Sequence, residues 1–367
     1  KRSIKPKRSI KPKKGIRPNR PRRSKKTIKP KRPKRIKKAL IKQNGKRQKA
    51  TLQTKVDDYK KYRISGHESF PCRYAWLSKI VRIFQKEKSV FFDDEKSMIE
   101  LGIGKNMVRS AKFWAFAFNV ISKKGSDVVL TDFGNAIFGA GGLDLYLEDI
   151  STLWLLHWQL STNIDNPLLA WDYLFNKWQE PELIPSVIHQ ALYKEASIMS
   201  HDLSAVTLQQ HIDVFFHTYL PTNSKKGIVR EDNLDCPLIE LELLRKVGDR
   251  TSSEVHETVY AFRYEEKLDI STELLCFCIA DFWNKRFPNE QTLSFQAIAH
   301  GQGSPGQVFK LPEETLRTRL EDISSASLGS FQYAETAQHQ QILKTKKITT
   351  TQKLLENIYK KEALNVY

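Results

Sequence analysis

The sequence predicts a mainly α-helical protein. Two winged helix-turn-helix-like units flank a helical middle, and a disordered basic tail precedes them. Three observations carry this. Apolar residues recur at three- and four-residue steps along most of the chain beyond Cys72, the spacing of helices that bury one face. Two stretches place a turn between such helices and a strand-like run after them, the layout of a helix-turn-helix with a wing. The charge is also split. Of 61 Lys and Arg, 25 lie in residues 1–50, which hold no Asp or Glu; 36 basic and 41 acidic residues remain, a net of −5. The formal +20 therefore belongs to the tail and says nothing of what the folded part binds.

The tail and connector span 1–62. Lys1–Pro6 recurs as Lys7–Pro12, with looser copies ending at Pro18, Pro30 and Pro33. Frequent proline without core-forming aromatics predicts an extended, unfolded segment. It either binds polyanions by counterion release or is a translated upstream repeat.

The first winged unit spans 63–140. A helix is expected over Cys72–Lys86, with Trp76, Leu77, Ile80, Val81 and Phe84 on one face. Asp93 or Asp94 caps a shorter helix, and Gly102 sits where a helix end takes a left-handed residue. From Lys105 to Ile121 the residues Met107, Ala111, Trp114, Phe118 and Ile121 form one apolar stripe. Lys105, Arg109, Lys112 and Phe116 fall roughly opposite Trp114. Lys123–Asp127 is a turn cluster, Val128–Leu130 a strand, and Thr131 or Asp132 a cap for a helix through Phe138.

The glycines of 139–142 are a hinge into the middle, 141–250. Helices are expected over Ile150–Leu160, Pro167–Trp178, Leu183–Lys194 and Val206–Tyr219, their aromatics forming core. The second winged-helix-like unit is 251–345. It comprises a strand at Val259–Tyr264, a helix at Glu273–Phe287, and a helix to His300 capped by Thr292. A turn at Gly301–Gly306 leads to a helix over Glu313–Ile323 with Leu316, Leu320 and Ile323 inward, and Phe331–Tyr333 is a strand of a wing. A final helix and tail occupy 346–367.

Lys105, Arg109 and Lys112 read as phosphate or base contacts, with Asn106 at the helix start and Lys123 and Lys124 in the wing. The alternative is a solvated helix face on a protein-docking module. Cys72, Cys236, Cys276 and Cys278 are too scattered for a disulfide framework and read as buried thiols in a reducing cytoplasm. No apolar run reaches membrane-spanning length.

Chemistry is harder to find. The Gly104-Lys105-Asn106 run lacks the remainder of a phosphate-binding loop. His67, Glu68 and Ser69 are adjacent, which is not the geometry of a triad; the plain reading has Glu68 or Ser69 capping a helix and His67 holding a turn. Ser304 and Gly306 either aim amides at a phosphate or make a tight connection. Asp232, Asp235, Glu240 and Glu242 either surround a divalent ion or form a solvated loop. No catalytic residue or metal site is assigned.

Three stretches together resemble one family: Gly66–Leu77 (GHESFPCRYAWL), Leu101–Ser110 (LGIGKNMVRS) and Gly303–Leu311 (GSPGQVFKL). It is the bacterial family named domain of unknown function 4007, whose SspB-type members belong to Ssp DNA-phosphorothioation defence systems. The resemblance covers about 63–345. It implies duplex DNA as partner and nicking so that sulfur replaces a phosphate oxygen. It also implies a cysteine desulfurase, an ATPase and a sulfurtransferase as partner proteins, and a divalent metal if the chain is a nickase. The other expectations are a non-catalytic adaptor recruiting the ATPase or sulfurtransferase, and a winged-helix transcriptional regulator.

Overall fold

The computed structural model describes residues 62–198, 203–221, 236–252, 255–336, 339–347 and 349–360. The expected tail and connector lie outside these residues, Tyr62 excepted. So do Asp232 and Asp235. The described chain is mainly helical with small antiparallel sheets.

Helix α1 (Tyr74–Lys86) buries Trp76, Leu77, Ile80, Val81 and Ile83. Phe84, expected on that face, is half-buried and meets Phe91 edge-on. Neither Glu68 nor Ser69 caps this helix: Arg73 holds the cap position without a side-chain bond. Helices α2 (Lys88–Phe92) and α3 (Asp94–Leu101) follow. Asp93 caps α3, its Oδ1 accepting the Glu95 and Lys96 amides at 3.0 and 3.1 Å. Gly102 ends it in the left-handed region, φ 67°, where only glycine is free of strain.

Helix α4 (Lys105–Ala117) is shorter than its apolar stripe predicts. Asn119 adopts φ 55° and turns the chain, so Ile121 opens a strand instead of closing a helix. Phe118 and Ile121 are still buried. Strands β1 (Ile121–Lys124) and β2 (Asp127–Leu130) form a hairpin with Lys124 opposite Asp127. Thr131 then caps α5 (Asp132–Phe138), accepting the Gly134 amide at 2.9 Å.

Helix α6 (Ile150–Ser161) is buried on every side from Ser151 onward, as befits a helix apolar all round. Helix α7 (Leu169–Asn176) packs on it, α9 (Ala205–Tyr219) reaches it through Tyr219 on His157, and α8 (Pro185–Ile198) packs on α7 and α9. Strand β3 (Leu244–Ser252) was not expected; it pairs with β4 (Val255–Phe262) through a register shift at Lys246/Gly248.

In the C-terminal part, Ser271 caps α10 (Thr272–Arg286). Thr292 does not cap a helix. It lies in strand β5 (Thr292–Ser294), and Ser294 caps α11 (Phe295–His300), accepting the Ala297 amide at 3.2 Å. The expected turn at 301–306 runs into a short helix, α12 (Pro305–Phe309). Then come α13 (Glu313–Glu321), α14 (Ile323–Ala326), β6 (Phe331–Glu335), β7 (Gln340–Lys344) and α15 (Thr351–Lys360). The sheet order is β5-β7-β6, all antiparallel. One contiguous set of buried side chains reaches from Tyr62 to Ile358. All four cysteines are buried free thiols.

Candidate nucleic-acid interface

The α4 surface rests on the Gly66–Phe70 turn. His67, Glu68, Ser69 and Phe70 make a tight turn closed by the Phe70 amide on the His67 carbonyl at 2.9 Å. Both central residues take positive φ, 50° at Glu68 and 61° at Ser69. That conformation is usually left to Asn and Gly, and neighbouring contacts hold it here. Trp114 donates from Nε1 to the Phe70 carbonyl at 2.9 Å, and Ser110 from its hydroxyl at 3.3 Å. Phe113 is sandwiched: the His67 ring meets its edge, and the Arg63 guanidinium lies 3.9 Å from its centroid. A Cβ at Gly66 would come within 3.0 Å of Phe113 Cδ2, so this approach requires glycine.

His67 continues inward. Its Nδ1 accepts the Ser69 amide at 3.2 Å, and its Nε2 lies 3.3 Å from His211 Nδ1. His211 Nε2 accepts the Ala170 amide at 3.1 Å. Both outer nitrogens accept, so both inner ones carry protons, and the Ile64 carbonyl serves both rings. Burial pushes His67 down to about 4 and His211 to about 3; both are neutral at pH 7. Glu68 and Ser69 are exposed. His67, Glu68 and Ser69 together therefore build a strained support for α4, with no reacting group shared between them.

Lys105, Asn106 and Arg109 are exposed on α4, and Lys123 and Lys124 are exposed in the hairpin. Lys112 is placed differently. It is half-buried, its ammonium is 2.9 Å from Asp94 Oδ1, and it lies 5.3 Å from the Phe91 ring centroid. Arg109 Nε approaches Asp94 Oδ2 at 3.5 Å. Hydrogen bonding from Lys112 is the main cause holding the Asp94 carboxyl below its ordinary range. One carboxylate thus binds Lys112 inward and partly offsets Arg109, leaving Lys105, Lys123 and Lys124 as the outward charges. Phe116, expected on the cationic face, packs against the core.

Ser304 and Gly306 are buried. Ser304 caps α12 by accepting the Gln307 amide at 3.3 Å, and a Cβ at Gly306 would lie 2.2 Å from the Ala299 carbonyl oxygen. The same motif clamps the middle helices. The Gly303 amide donates to Asn176 Oδ1 at 2.9 Å, and His157 Nε2 to the Val308 carbonyl at 3.1 Å. Lys310 donates to the Phe175 carbonyl at 2.8 Å with its ammonium 4.6 Å from the Phe262 centroid. Burial pushes Lys310 down to about 7. Of the acidic set, Glu240 accepts from the Tyr74 hydroxyl and Glu242 pairs with Arg263. Among the described residues no three His, Cys, Asp or Glu side chains converge as a metal would require.

Positive excess in the body falls at its two ends, in 63–140 and in 346–367, where 5 basic residues face 2 acidic ones. Residues 63–140 carry 12 basic against 8 acidic residues; 141–250 carry 8 against 16, and 251–345 carry 8 against 13. The fold and site define a mainly helical protein with a basic helix-and-hairpin surface braced by buried histidines. The chain belongs to the family described as protein of unknown function DUF4007, which matches residues 64–359. No curated protein matches it. Two solved structures share the fold, both 22% identical. An SspB crystal structure gives a TM-score of 0.70 over 84% of this chain and 90% of that one. A magnesium ion-bound SspB crystal structure gives 0.69 over 83% and 89%. No helix of the described residues is long and apolar enough to cross a membrane.

Proposed function

We propose that the chain binds duplex DNA through α4 and the β1–β2 hairpin, as the SspB-like component of a DNA-phosphorothioation system. In this reading α1, α3, α4 and the hairpin form a winged helix-turn-helix with the start of α4 in the major groove. Residues 251–345 form a second such unit. Lys105, Lys123 and Lys124 hold phosphates, Arg109 adds a contact weakened by Asp94, and Asn106 meets base edges. A cysteine desulfurase, an ATPase and a sulfurtransferase act on the same DNA. The observation that carries the reading is the set of cations exposed together on helix and hairpin, Lys105, Arg109, Lys123 and Lys124, within a region of net positive charge.

The test is binding of the full chain to duplex DNA across a salt series. Lys105→Ala, Arg109→Ala and Lys123→Ala combined should flatten the slope by about 2–3, near one per lost phosphate contact. The tail is common to both proteins and cancels. Unchanged binding at every salt concentration would take α4 off the DNA and make this unit a docking module.

Single-strand nicking is a second reading, favoured by the magnesium in one SspB structure. The described carboxylates do not gather into a matching site, so no catalytic step is derived. Relaxation of supercoiled plasmid with and without Mg²⁺ is its test, and closed circles under both conditions would remove it.

A further inference from the structure

A cavity of about 220 Å³ lies in the C-terminal part, between α10, the start of β6, the end of β7 and the start of α15. Its lining includes Asn284, Ser330, Lys344, Lys347 and Thr351, and no carboxylate. Ser330 is 5% exposed, and its hydroxyl has no hydrogen-bond partner. A buried hydroxyl left without a partner costs about 1–3 kcal/mol, so the site favours something that supplies one.

The surroundings select the sign of that partner. Neither Lys344 nor Lys347 has a carboxylate within ion-pair distance among the described residues. Lys344 Nζ is held 4.5 Å from the Trp283 ring centroid. Thr350 starts α15: its carbonyl accepts the Leu354 amide and its hydroxyl the Lys353 amide. The amides of the first turn lack carbonyl partners within the helix, and the helix start carries partial positive charge. The frame is built. Thr345 donates its hydroxyl to the Gly329 carbonyl at 2.7 Å and its amide to the Ser330 carbonyl at 2.9 Å, and its hydroxyl accepts the Lys347 amide at 3.1 Å.

We infer that this cavity binds a phosphate group, either free phosphate or the terminal phosphate of a nucleotide. Lys344 and Lys347 supply charge, and Ser330, Asn284 and the start of α15 supply donors. The inference does not depend on the α4 surface binding DNA.

The experiment is calorimetric titration of the full chain at high KCl, which weakens anion capture by the tail. The probes are inorganic phosphate, deoxyadenosine monophosphate and deoxyadenosine. Phosphate and the monophosphate should each saturate one site, and deoxyadenosine should not bind. Tighter binding of the monophosphate would identify a nucleotide end as the ligand; equal affinity would identify the anion alone. Lys344→Gln and Lys347→Gln should each weaken binding roughly tenfold, while Lys105→Ala should leave it unchanged. Lys347 is exposed, so Lys347→Gln reports even where Lys344→Gln disturbs the packing on Trp283. The absence of a saturable phosphate site, or an unchanged affinity in Lys347→Gln, would overturn the inference.

Discussion

Residues 63–140 and 251–345 each run several helices into an antiparallel hairpin, β1–β2 in the first and β6–β7, extended by β5, in the second. They differ in how α4 and α13 use their charge. Helix α4 begins with Lys105 and Asn106, both exposed. Helix α13 begins with Glu313 and Glu314, and its arginines are engaged within the protein. Arg319 donates to the Lys267 carbonyl at 2.6 Å, and Arg317 pairs with Glu314 at 3.3 Å and lies 5.4 Å from the Phe295 centroid. The two helices therefore present different faces, one cationic to solvent and one neutralised. Lys112, bound to Asp94, shows the second habit inside the first region. A cation on a helix is available to a polyanion only if no acidic residue or carbonyl has claimed it, and sequence spacing does not reveal the claim.

The largest expected effects fall on what the two regions share. Trp114 and Trp283 are both fully buried, so Trp114→Ala and Trp283→Ala should each cost about 3–5 kcal/mol in denaturant unfolding. A Trp114 variant with unchanged stability and weakened DNA binding would reverse the orientation assigned to α4.

Acid should come next, acting through the helical middle that joins the regions. His67, His157 and His211 are held neutral by burial, at about 4, 3 and 3. Below the ordinary histidine value near 6.5 the unfolded chain takes up protons that the folded chain refuses, so stability should fall as pH drops from about 6.5 towards 4. Unfolding measured near pH 5 should take up close to three protons from this set, fewer towards either end of the window, and His211→Asn should remove one. A flat profile would contradict the neutral pair.

The smallest effect separates the surfaces. Arg317→Ala with Arg319→Ala should lower the melting temperature yet leave the salt dependence of DNA binding as it was. Asn106→Ala should leave melting alone and cost about 1–3 kcal/mol on a preferred duplex only. Loss of DNA binding in the Arg317/Arg319 variant would abolish the distinction between the regions.

Much of the helical frame was legible because its signals are local. Asp93, Gly102 and Thr131 act within a few residues of themselves, and the stripes of α1, α4 and α13 name their own buried faces. The misses are non-local. Strand β3 runs Leu-Arg-Lys-Val-Gly-Asp-Arg-Thr-Ser without apolar alternation, and only its pairing with β4 makes it a strand. Strand β5 is three residues long and depends on β7. At the candidate site the cations of α4 were legible and their partner was not, since Asp94 lies 18 residues before Lys112. His211 carries no motif, and nothing near it in the chain points to His67. Within the Gly303–Leu311 stretch, a lysine buried against rings and carbonyls looks like any other lysine.

The His67–His211 contact also bears on how the chain comes to be folded. It joins positions 144 residues apart, and ribosomes add about 5–20 residues per second. The turn beneath α4 therefore waits roughly 7–30 s after its own synthesis for the ring that completes it. During that interval the local contacts from Ser110, Phe113 and Trp114 can form, but the His67 ring lacks its inward neighbour. The basic surface should mature late, after the middle helices have emerged, and a nascent chain halted before residue 211 should present α4 without its brace.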